Sequence, residues 1–297
     1  MTAVSRENDT AVSVYTVEKL SDRDTIRGIL ADEKAYSAYA LAQLDPRTFY
    51  DTEWVMALGS SGEQALLVHS HGGLGPALFA IGDSGALDVA MSLHPGSRFS
   101  FASFRMEHRR VTENHYVMSR PQVMKRQKVT AEEFQPTDGP AVRLEIGDLP
   151  LINRLYSQEG TATGYRPEHL EHAMYCGAFV GGELVSIAGT HAFSRAERVA
   201  VVGNVYTHPQ YRGRGLAGAA TSAVTRELMQ VCDLVVLTVE ADNKAALRVY
   251  EKLGYRDVCN MHETPLVRKE PVGVMSFARR ALATWHGRRK GKEVVKR

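Results

Sequence analysis

Two phosphate-binding patterns overlap in the stretch NVYTHPQYRGRGLAG, which runs from Asn204 to Gly218. Its last six residues, GRGLAG, fit the G-x-G-x-x-G spacing of a dinucleotide-binding turn. The residues QYRGRG, which begin at Gln210, fit a different loop of the form Q-x-x-G-x-G. Glycines at such spacings let backbone N–H groups approach a phosphate at a helix N-terminus, so both patterns predict phosphate binding.

The residues before the glycines discriminate between the two patterns. A dinucleotide turn needs a strand that ends directly at the first glycine. Here the residues HPQYR separate the predicted strand from Gly213, and the preceding strands are joined as predicted hairpins rather than by crossover helices. The second pattern is therefore favoured. Pro209 ends the strand, a helix starts at Gly215, and Arg212 and Arg214 add positive charge beside the loop.

The spacing of apolar residues in the second half predicts a mixed sheet around this loop. Apolar runs predict strands at AVRLEIG, GAFVGG, ELVSIAGTHAF, RVAVVGNVYT and CDLVVLTVE, with a tight Gly181-Gly182 turn. Helical periodicity predicts helices at DLPLINRLYSQEG, RPEHLEHAMYC, 215–231 and 243–253. The order is β-α-α-β-β-β-α-β-α-β. It indicates an α/β (α+β) fold with a mixed, mostly antiparallel central sheet flanked by helices.

A second motif follows the loop in the segment VEADNKAALRVYEKLGYRDV. An Asn precedes a helix, a Tyr comes seven residues later, and a Gly-aromatic pair follows, at Asn243, Tyr250, Gly254 and Tyr255. With the loop before it, this order resembles the GNAT superfamily of N-acetyltransferases. The resemblance covers about residues 140–270 and implies a GNAT-like fold for that segment.

This resemblance implies an acyl-CoA-dependent N-acetyltransferase without a metal, which moves acetyl from acetyl-CoA directly to a primary amine through a ternary complex. The alternative is a non-catalytic acyl-CoA-binding regulatory protein. In the family, the pantetheine arm follows the strand before the loop, and a backbone N–H near Val205 would hold the oxyanion. The implied cofactor-binding residues are Val205, Tyr206, Thr207, Gln210, Arg212, Gly213, Arg214, Gly215, Leu216, Ala217, Gly218, Asn243 and Tyr250.

The catalytic residues are less sharply defined. Tyr250 matches the family's proton donor to the departing thiolate, although its place on an apolar helical stripe also suits a core residue. The general base stays open between Glu240, at the end of a strand, and His191, within AGTHAF. Asn204 and Tyr206 could position a water chain.

The first half carries no loop of the Q-x-x-G-x-G kind. Residues 1–125 are predicted to form a degenerate N-terminal domain, loosely similar to GNAT members with two domains in tandem. It would either supply one wall of the acceptor site or serve only as a packing domain. A polar linker is placed at 126–140 and the catalytic domain at 141–270. The segment from Gly82 to Gly85, GDSG, is predicted to be a turn between two strands, because the nucleophile pattern G-x-S-x-G is incomplete.

No metal site is expected. His169, His172 and Cys176 are spaced to share one helical face, but the sequence offers no obvious fourth ligand. The small-molecule or peptide amine acceptor is not identified by any motif.

Charge is unevenly distributed along the chain. Residues 270–297 carry eight Lys/Arg and two Glu, while the remainder holds 28 basic and 32 acidic residues. The mildly acidic body gives no sign of nucleic-acid binding. Residues 271–297 are predicted to form a basic amphipathic helix and tail. The helix would dock on its own domain or on a dimer partner, with a solvated basic end, or lie on an anionic membrane surface.

The composition of the sequence indicates the cellular compartment. No run of about 18 apolar residues exists, so no membrane span is expected. The first residues lack the apolar core of a signal peptide, and the three cysteines are widely spaced. These features predict a cytoplasmic protein.

Overall fold

The computed structural model describes residues 14–72, 75–158, 164–269 and 292–296. Within these ranges, fourteen strands form one sheet. The first half contains β1 (Val14–Leu20), β2 (Thr52–Gly59), β3 (Gln64–Ser70), β4 (Ala77–Gly82), β5 (Phe99–Arg105), β6 (Tyr116–Met118) and β7 (Gln122–Val129). Its helices are α1 (Arg23–Ala31), α2 (Ala38–Ala42), α3 (Ser84–Leu93) and α4 (Arg109–His115).

The second half follows the predicted order of elements. Its strands are β8 (Ala141–Arg143), β9 (Tyr175–Val180), β10 (Glu183–Ser194), β11 (Val199–Thr207), β12 (Leu234–Glu240) and β13 (Arg256–Arg268), and β14 (Lys292–Lys296) ends the described chain. Its helices are α5 (Leu149–Ser157), α6 (Pro167–Glu171), α7 (Leu216–Met229) and α8 (Lys244–Lys252). The predicted mixed, mostly antiparallel sheet is confirmed, because the parallel pairs are β4–β5 and β11–β12 and the other pairs are antiparallel.

The two halves repeat one topology and share strands. Each half opens with a strand and two helices, continues with three antiparallel strands, and crosses through a helix to a strand parallel to the third. At the centre of the sheet, the strand order is β5-β13-β7-β12. Thus β7 of the first half pairs with β12 and β13 of the second, while β13 pairs with β5 of the first.

Because β7 pairs with strands of the second half, part of the linker predicted at 126–140 lies in the sheet. Residues 126–129 form the end of β7, where Arg126 lies opposite both Thr238 and Cys259. Residues 130–140 then lead, without a helix or strand, to β8. The division of the chain into domains stays a prediction.

Two sequence-based assignments are wrong. Gly82–Gly85 does not link two strands, because α3 begins at Ser84, and the Asp83 side chain accepts a hydrogen bond from Ala86 N at 2.9 Å. The apolar run that follows fits a buried helix as well as a strand, and in α3 five of the ten residues are buried.

The second wrong assignment concerns the end of the chain. Residues 292–296 of the predicted C-terminal helix form β14, which pairs with β1, and residues 271–291 and 297 lie outside the described ranges. The edge of β1 offers unpaired backbone groups that a Val-containing segment can pair with.

Helices cover both faces of the second half. The face covered by α7 and α8 buries Val202, Val235 and Leu237, and we refer to it as the α7 face. The opposite face, referred to as the α5 face, packs on α5 and α6 near Ile187, whereas α1 and α2 of the first half pack on it near Val201. The first half therefore covers part of the second half's sheet.

Gly254 links the end of α8 to the segment before β8. Its φ is +93°, and a Cβ there would lie 2.0 Å from the carbonyl oxygen of Glu133. We expect Gly254→Ala to lower the free energy of unfolding by about 1–3 kcal/mol, measured by urea denaturation. Gly28→Ala is the control, because Gly28 lies at an exposed position of α1 with no atom within 4 Å of the added Cβ. It should raise stability by up to about 1 kcal/mol. Equal effects of the two variants would contradict this account.

Candidate functional site

The site begins where two parallel strands separate. Strands β11 and β12 pair only from Val199 and Leu234 to Val202 and Leu237. Beyond that point β12 continues beside β7 as far as Glu240, whereas β11 continues beside β10. A cleft therefore opens between the ends of β11 and β12, and the stretch from residue 203 to 207 forms one edge of it.

Two irregularities in the β10–β11 ladder shape this edge. The register skips one residue between Thr190 and Ala192, and the skipped residue is His191. It shifts again between Gly203 and Tyr206, a span that includes Asn204, whose φ is +54°. Such bulges bend a strand and redirect its side chains, and they are frequent beside active sites.

The glycine-rich loop lies directly after β11. His208 and a single 3-10 turn, Pro209–Tyr211, separate the end of the strand from the glycines. Gly213 has a φ of +77° and Gly215 a φ of +78°, and no heavy atom lies within 4 Å of the position where either would carry a Cβ. The backbone conformation explains why glycine stands at both positions, and the space above them is free for a ligand.

The N-terminus of α7 lacks a side-chain cap. Its N-cap residue is Gly215, and its first turn holds no acidic residue. By contrast, the side chains of Asp22, Asp83 and Asn243 cap α1, α3 and α8. The first N–H groups of α7 have no partner within the helix, and the helix dipole adds positive potential there. The loop can therefore bind an anion.

Two arginines lie at the rim of this loop. Arg212 is exposed, and its Nε donates to the carbonyl oxygen of Thr207 at 3.1 Å. Arg214 is exposed too, and its guanidinium carbon lies 5.1 Å from the ring centre of Tyr211. Gln210 is exposed beside them. All three side chains can reorient towards a bound phosphate, since each is in solvent.

Several other predicted contact residues have structural roles. Leu216 is buried against Ala178 and Val185, and Ala217 follows it in the first turn of α7. A Cβ at Gly218 would lie 3.6 Å from Val249, so the two helices pack closely there. These residues form the wall behind the loop.

Three further predicted residues belong to the elements that border the cleft. Asn243 caps α8 by accepting from Ala246 N at 3.1 Å. The side chain of Tyr206 is buried on the α5 face, whereas Val205 packs towards the α7 face. Only the backbone of Tyr206 can therefore take part in a contact along the cleft edge.

Tyr250 lies on α8 and is buried. Burial raises the pKa of its hydroxyl to about 12. Its ring meets that of Tyr255 edge-on at 6.0 Å, and the Tyr255 hydroxyl bonds to Thr225 Oγ1 at 2.7 Å. Within the described ranges, no hydrogen-bond partner of the Tyr250 hydroxyl is found. This hydroxyl therefore holds its proton at neutral pH and is free to donate it.

The two predicted bases are both exposed. His191 lies on the α5 face with Nε2 2.8 Å from Asn204 Oδ1. Glu240 accepts a hydrogen bond from Gln122 Nε2 at 2.9 Å. The structure thus joins His191 to the β11 bulge and Glu240 to the neighbouring strand β7.

Sequence reasoning missed a cluster of tyrosines that adjoins the bulge. Tyr156 and Tyr165 stack with ring centres 5.2 Å apart, and Tyr175 meets Tyr165 edge-on at 5.9 Å. Tyr206 completes the cluster, 6.0 Å from Tyr156. The buried position of Tyr156 on the apolar stripe of α5 was a usable signal, but it indicates a core residue rather than a site.

The expected shared helical face for His169, His172 and Cys176 is wrong. Helix α6 ends at Glu171, and Cys176 lies in β9, where its side chain packs on the α7 face. Among the described residues, no group of three or more His, Cys, Asp or Glu side chains could hold a metal ion. Nor is any helix in these ranges long and apolar enough to cross a membrane.

The corresponding region of the first half is closed. Strands β4 and β5 also separate, after Ala80 and Phe104. There, however, the Tyr36 hydroxyl donates to the Ala80 carbonyl at 2.7 Å, and His108 Nε2 binds the Gly82 carbonyl at 2.8 Å. The Asp83 carboxylate also caps α3, so a negative charge already lies at this helix start, where α7 has no side-chain cap.

Comparison with known proteins agrees with this geometry. A model of the acetyltransferase (GNAT) family matches residues 147–255. A mycothiol acetyltransferase of Corynebacterium aurimucosum is 40% identical over 75 residues, which cover 24% of this chain and 25% of that protein. The match thus spans about a quarter of the relative's length.

Solved structures resemble a larger part of the chain than the sequence relative does. A putative GNAT acetyltransferase from Novosphingobium aromaticivorans is 24% identical with a TM-score of 0.50, over 65% of this chain and 84% of that one. A tandem GNAT protein from the clavulanic acid biosynthesis pathway is 13% identical with a TM-score of 0.50, over 87% of this chain and all of that one. These likenesses concern the fold. The family match and the cleft lie in the same segment, residues 147–255.

Proposed function

We propose that this protein is an acyl-CoA-dependent N-acetyltransferase that moves acetyl from acetyl-CoA directly to a primary amine in a ternary complex. The observation that carries the proposal is the uncapped N-terminus of α7 behind two left-handed glycines, at the mouth of the β11–β12 cleft. The family match covers this segment.

In this proposal the loop holds the pyrophosphate of the cofactor. Its oxygens accept from the N–H groups between Gly213 and Gly218, and Arg212 and Arg214 balance its charge. The pantetheine arm follows the free edge of β11, where Val205 and Thr207 offer backbone groups. Arg212 then turns from the Thr207 carbonyl to the phosphate, since its side chain is exposed.

The reaction requires groups that handle charge at the thioester. The amine lone pair attacks the carbonyl carbon, and the Val205 N–H donates to the developing oxyanion. The Asn204 carbonyl accepts from the Tyr156 hydroxyl on the α5 face, so the N–H of the same trans peptide unit points away from α5. The C–S bond then breaks, and Tyr250 gives its proton to the departing thiolate. A base removes the proton that the amine loses, and Glu240 and His191 are the candidates.

The amine enters from the α5 face in this proposal. That face carries His191, and α1 and α2 of the first half cover its neighbouring part. Arg27 of α1 binds Glu197 of the β10–β11 turn through two contacts of 2.8 and 2.7 Å. The first half, residues 1–125, would thus form a fixed wall beside the acceptor. A reducing cytoplasm suits this reading, because Cys176, Cys232 and Cys259 are all free.

The phosphate loop is tested by two glycine substitutions. Gly213→Val and Gly215→Val place a side chain in the ligand space and strain the backbone. We expect each to raise the dissociation constant of acetyl-CoA at least about tenfold by calorimetry. Gly181→Val is the matched control. Gly181 also has a positive φ, +60°, and no heavy atom within 4 Å of an added Cβ, but it lies in the β9–β10 turn. Binding that survives both loop substitutions would contradict the proposal.

The acid is tested by removing one hydroxyl. We expect Tyr250→Phe to lower kcat about 100-fold with little change in acetyl-CoA affinity, because the lost group acts on the leaving thiolate. Since the folded pKa of Tyr250 is raised to about 12, this donor stays protonated and causes no loss of activity between pH 7 and pH 10. Tyr255→Phe removes a hydroxyl bonded to Thr225 and should lower stability while kcat stays within about twofold. Equal kcat losses in the two variants would argue against an acid role.

The function as a whole is tested by thiol release. Purified protein is mixed with acetyl-CoA together with one amine at a time. The amines are spermidine, L-lysine, kanamycin and a peptide with a free N-terminus. Free CoA and acetylated amine should appear in equal amounts with at least one acceptor. Tight acetyl-CoA binding without turnover would instead support the non-catalytic regulator.

A further inference from the structure

We propose that Asn204 and Tyr175 are positioning residues that hold His191 as the general base, with the proton on Nε2 and the lone pair of Nδ1 free to accept the amine's proton. This inference rests on the proposed acetyl transfer. It selects one base from the two candidates and assigns roles to two side chains outside the family motifs.

The imidazole lies where the sheet leaves room for it. His191 is the extra residue of the β10 bulge, so its ring is displaced over the neighbouring strand. A Cβ at Gly203 would lie 2.5 Å from Cε1 and 2.6 Å from Nδ1 of that ring. Only glycine at position 203 permits this contact, and the ring rests flat against β11.

Asn204 is held in an unusual conformation that directs its amide to this ring. Its φ of +54° is uncommon for residues other than glycine, and such a conformation costs of order 1–3 kcal/mol unless the surroundings enforce it. The Tyr156 hydroxyl donates to the Asn204 carbonyl, which fixes the bulge from the α5 side. The side-chain oxygen of Asn204 then lies 2.8 Å from Nε2 of His191.

Tyr175 sets the orientation of the amide. The Asn204 side-chain nitrogen lies 2.9 Å from the Tyr175 hydroxyl, to which it donates. Burial raises the pKa of Tyr175, and the neighbouring Tyr165 raises it further, so the hydroxyl stays neutral. With its nitrogen engaged in this way, Asn204 can only accept at Oδ1. The group that donates to it is Nε2–H of His191, and neutral imidazole then carries its lone pair on Nδ1.

The alternative base lacks such an arrangement. Glu240 accepts from Gln122 Nε2, and one amide donor does not fix the direction of a solvated carboxylate. For His191, in contrast, the bulge, Gly203 and the Asn204 amide fix the position, the ring plane and the tautomer. Within the described ranges, Nδ1 has no hydrogen-bond partner, so it is open to an acceptor amine.

In the transfer step, the proton of the attacking nitrogen passes to Nδ1 as the C–N bond forms. Imidazolium then has donors at both nitrogens, and Asn204 Oδ1 continues to accept from Nε2. The C–S electrons leave with the thiolate, which takes the Tyr250 proton. Base and acid therefore act on different atoms, and no metal or oxidant is needed.

A double-mutant cycle tests this inference with acetyl-CoA and whichever amine of the panel turns over fastest. We expect His191→Gln to lower kcat about 100-fold and Asn204→Ala about tenfold, with acetyl-CoA affinity kept within about twofold. The double variant should be no slower than His191→Gln alone, because Asn204 acts only through the imidazole. Losses that multiply to about 1,000-fold would overturn the inference.

Asn153→Ala provides a matched control on the same tyrosine cluster. Its side chain donates to the Tyr165 carbonyl at 3.0 Å and accepts from the Tyr165 N–H at 2.8 Å, but it makes no contact with His191. Any loss of kcat in this variant should multiply with that of His191→Gln. Rescue by Asn204→Asp, which keeps an oxygen opposite Nε2, supports the positioning role, and failure of Asp to exceed Ala in kcat opposes it.

A measurement independent of turnover separates this inference from the proposed function. Nitrogen-15 NMR of histidine-labelled protein should show His191 as the Nε2–H tautomer, and Asn204→Ala should shift it towards a mixture. A wild-type ring protonated on Nδ1 overturns the positioning role even if the enzyme is active. Absence of thiol release from protein that binds acetyl-CoA overturns the base assignment together with the proposed function.

Discussion

Strands β11 and β12 part after Val202 and Leu237 because each has another partner to follow. Strand β12 continues beside β7, which the first half supplies, and β11 continues beside β10 through its bulge. The backbone of β11 beyond residue 203 is therefore an edge inside a wide sheet, where it is no longer paired with β12 and faces a cleft. The glycine loop and the open end of α7 follow directly after this edge, Tyr250 is buried on the α7 face, and their proposed roles depend on the separation of the two strands.

The same separation gives the two sides of the cleft different properties. On the α7 face, an uncapped helix and exposed arginines favour an anion, whereas buried Tyr250 keeps a proton whose pKa is raised to about 12. On the α5 face, the bulges bring an imidazole, an amide and a tyrosine hydroxyl into one hydrogen-bonded chain. An acyl donor and an amine would then meet across β11, with proton donor and proton acceptor on opposite sides.

Local sequence patterns predicted most helices and strands and the glycine loop. Most of the features that the sequence did not predict depend on pairing between strands. Glycine spacing, Pro209 and helical periodicity are short-range signals, so the loop and the order from β8 to β13 were predictable. His191 and Asn204 are 13 residues apart, and their contact depends on a bulge in each of two neighbouring strands, a feature that has no local signature. The apolar run after Asp83 suits a strand and a buried helix equally, so α3 was mistaken. The exchange of β7 and β13 depends on pairing between the halves, which no single segment specifies.

The two halves share a topology but treat the backbone at the strand separation in opposite ways. In the first half, Tyr36 and His108 satisfy the carbonyls at the end of β4, and Asp83 satisfies the start of α3. In the second half, the matching helix start has no side-chain cap and β11 diverges from its parallel neighbour. Satisfied polar groups stabilise a fold, and unsatisfied ones remain only where solvent or a ligand can pair with them. In the proposed reaction, the first half would therefore form a wall beside the acceptor, and the second would offer its donors to a pyrophosphate and a thioester.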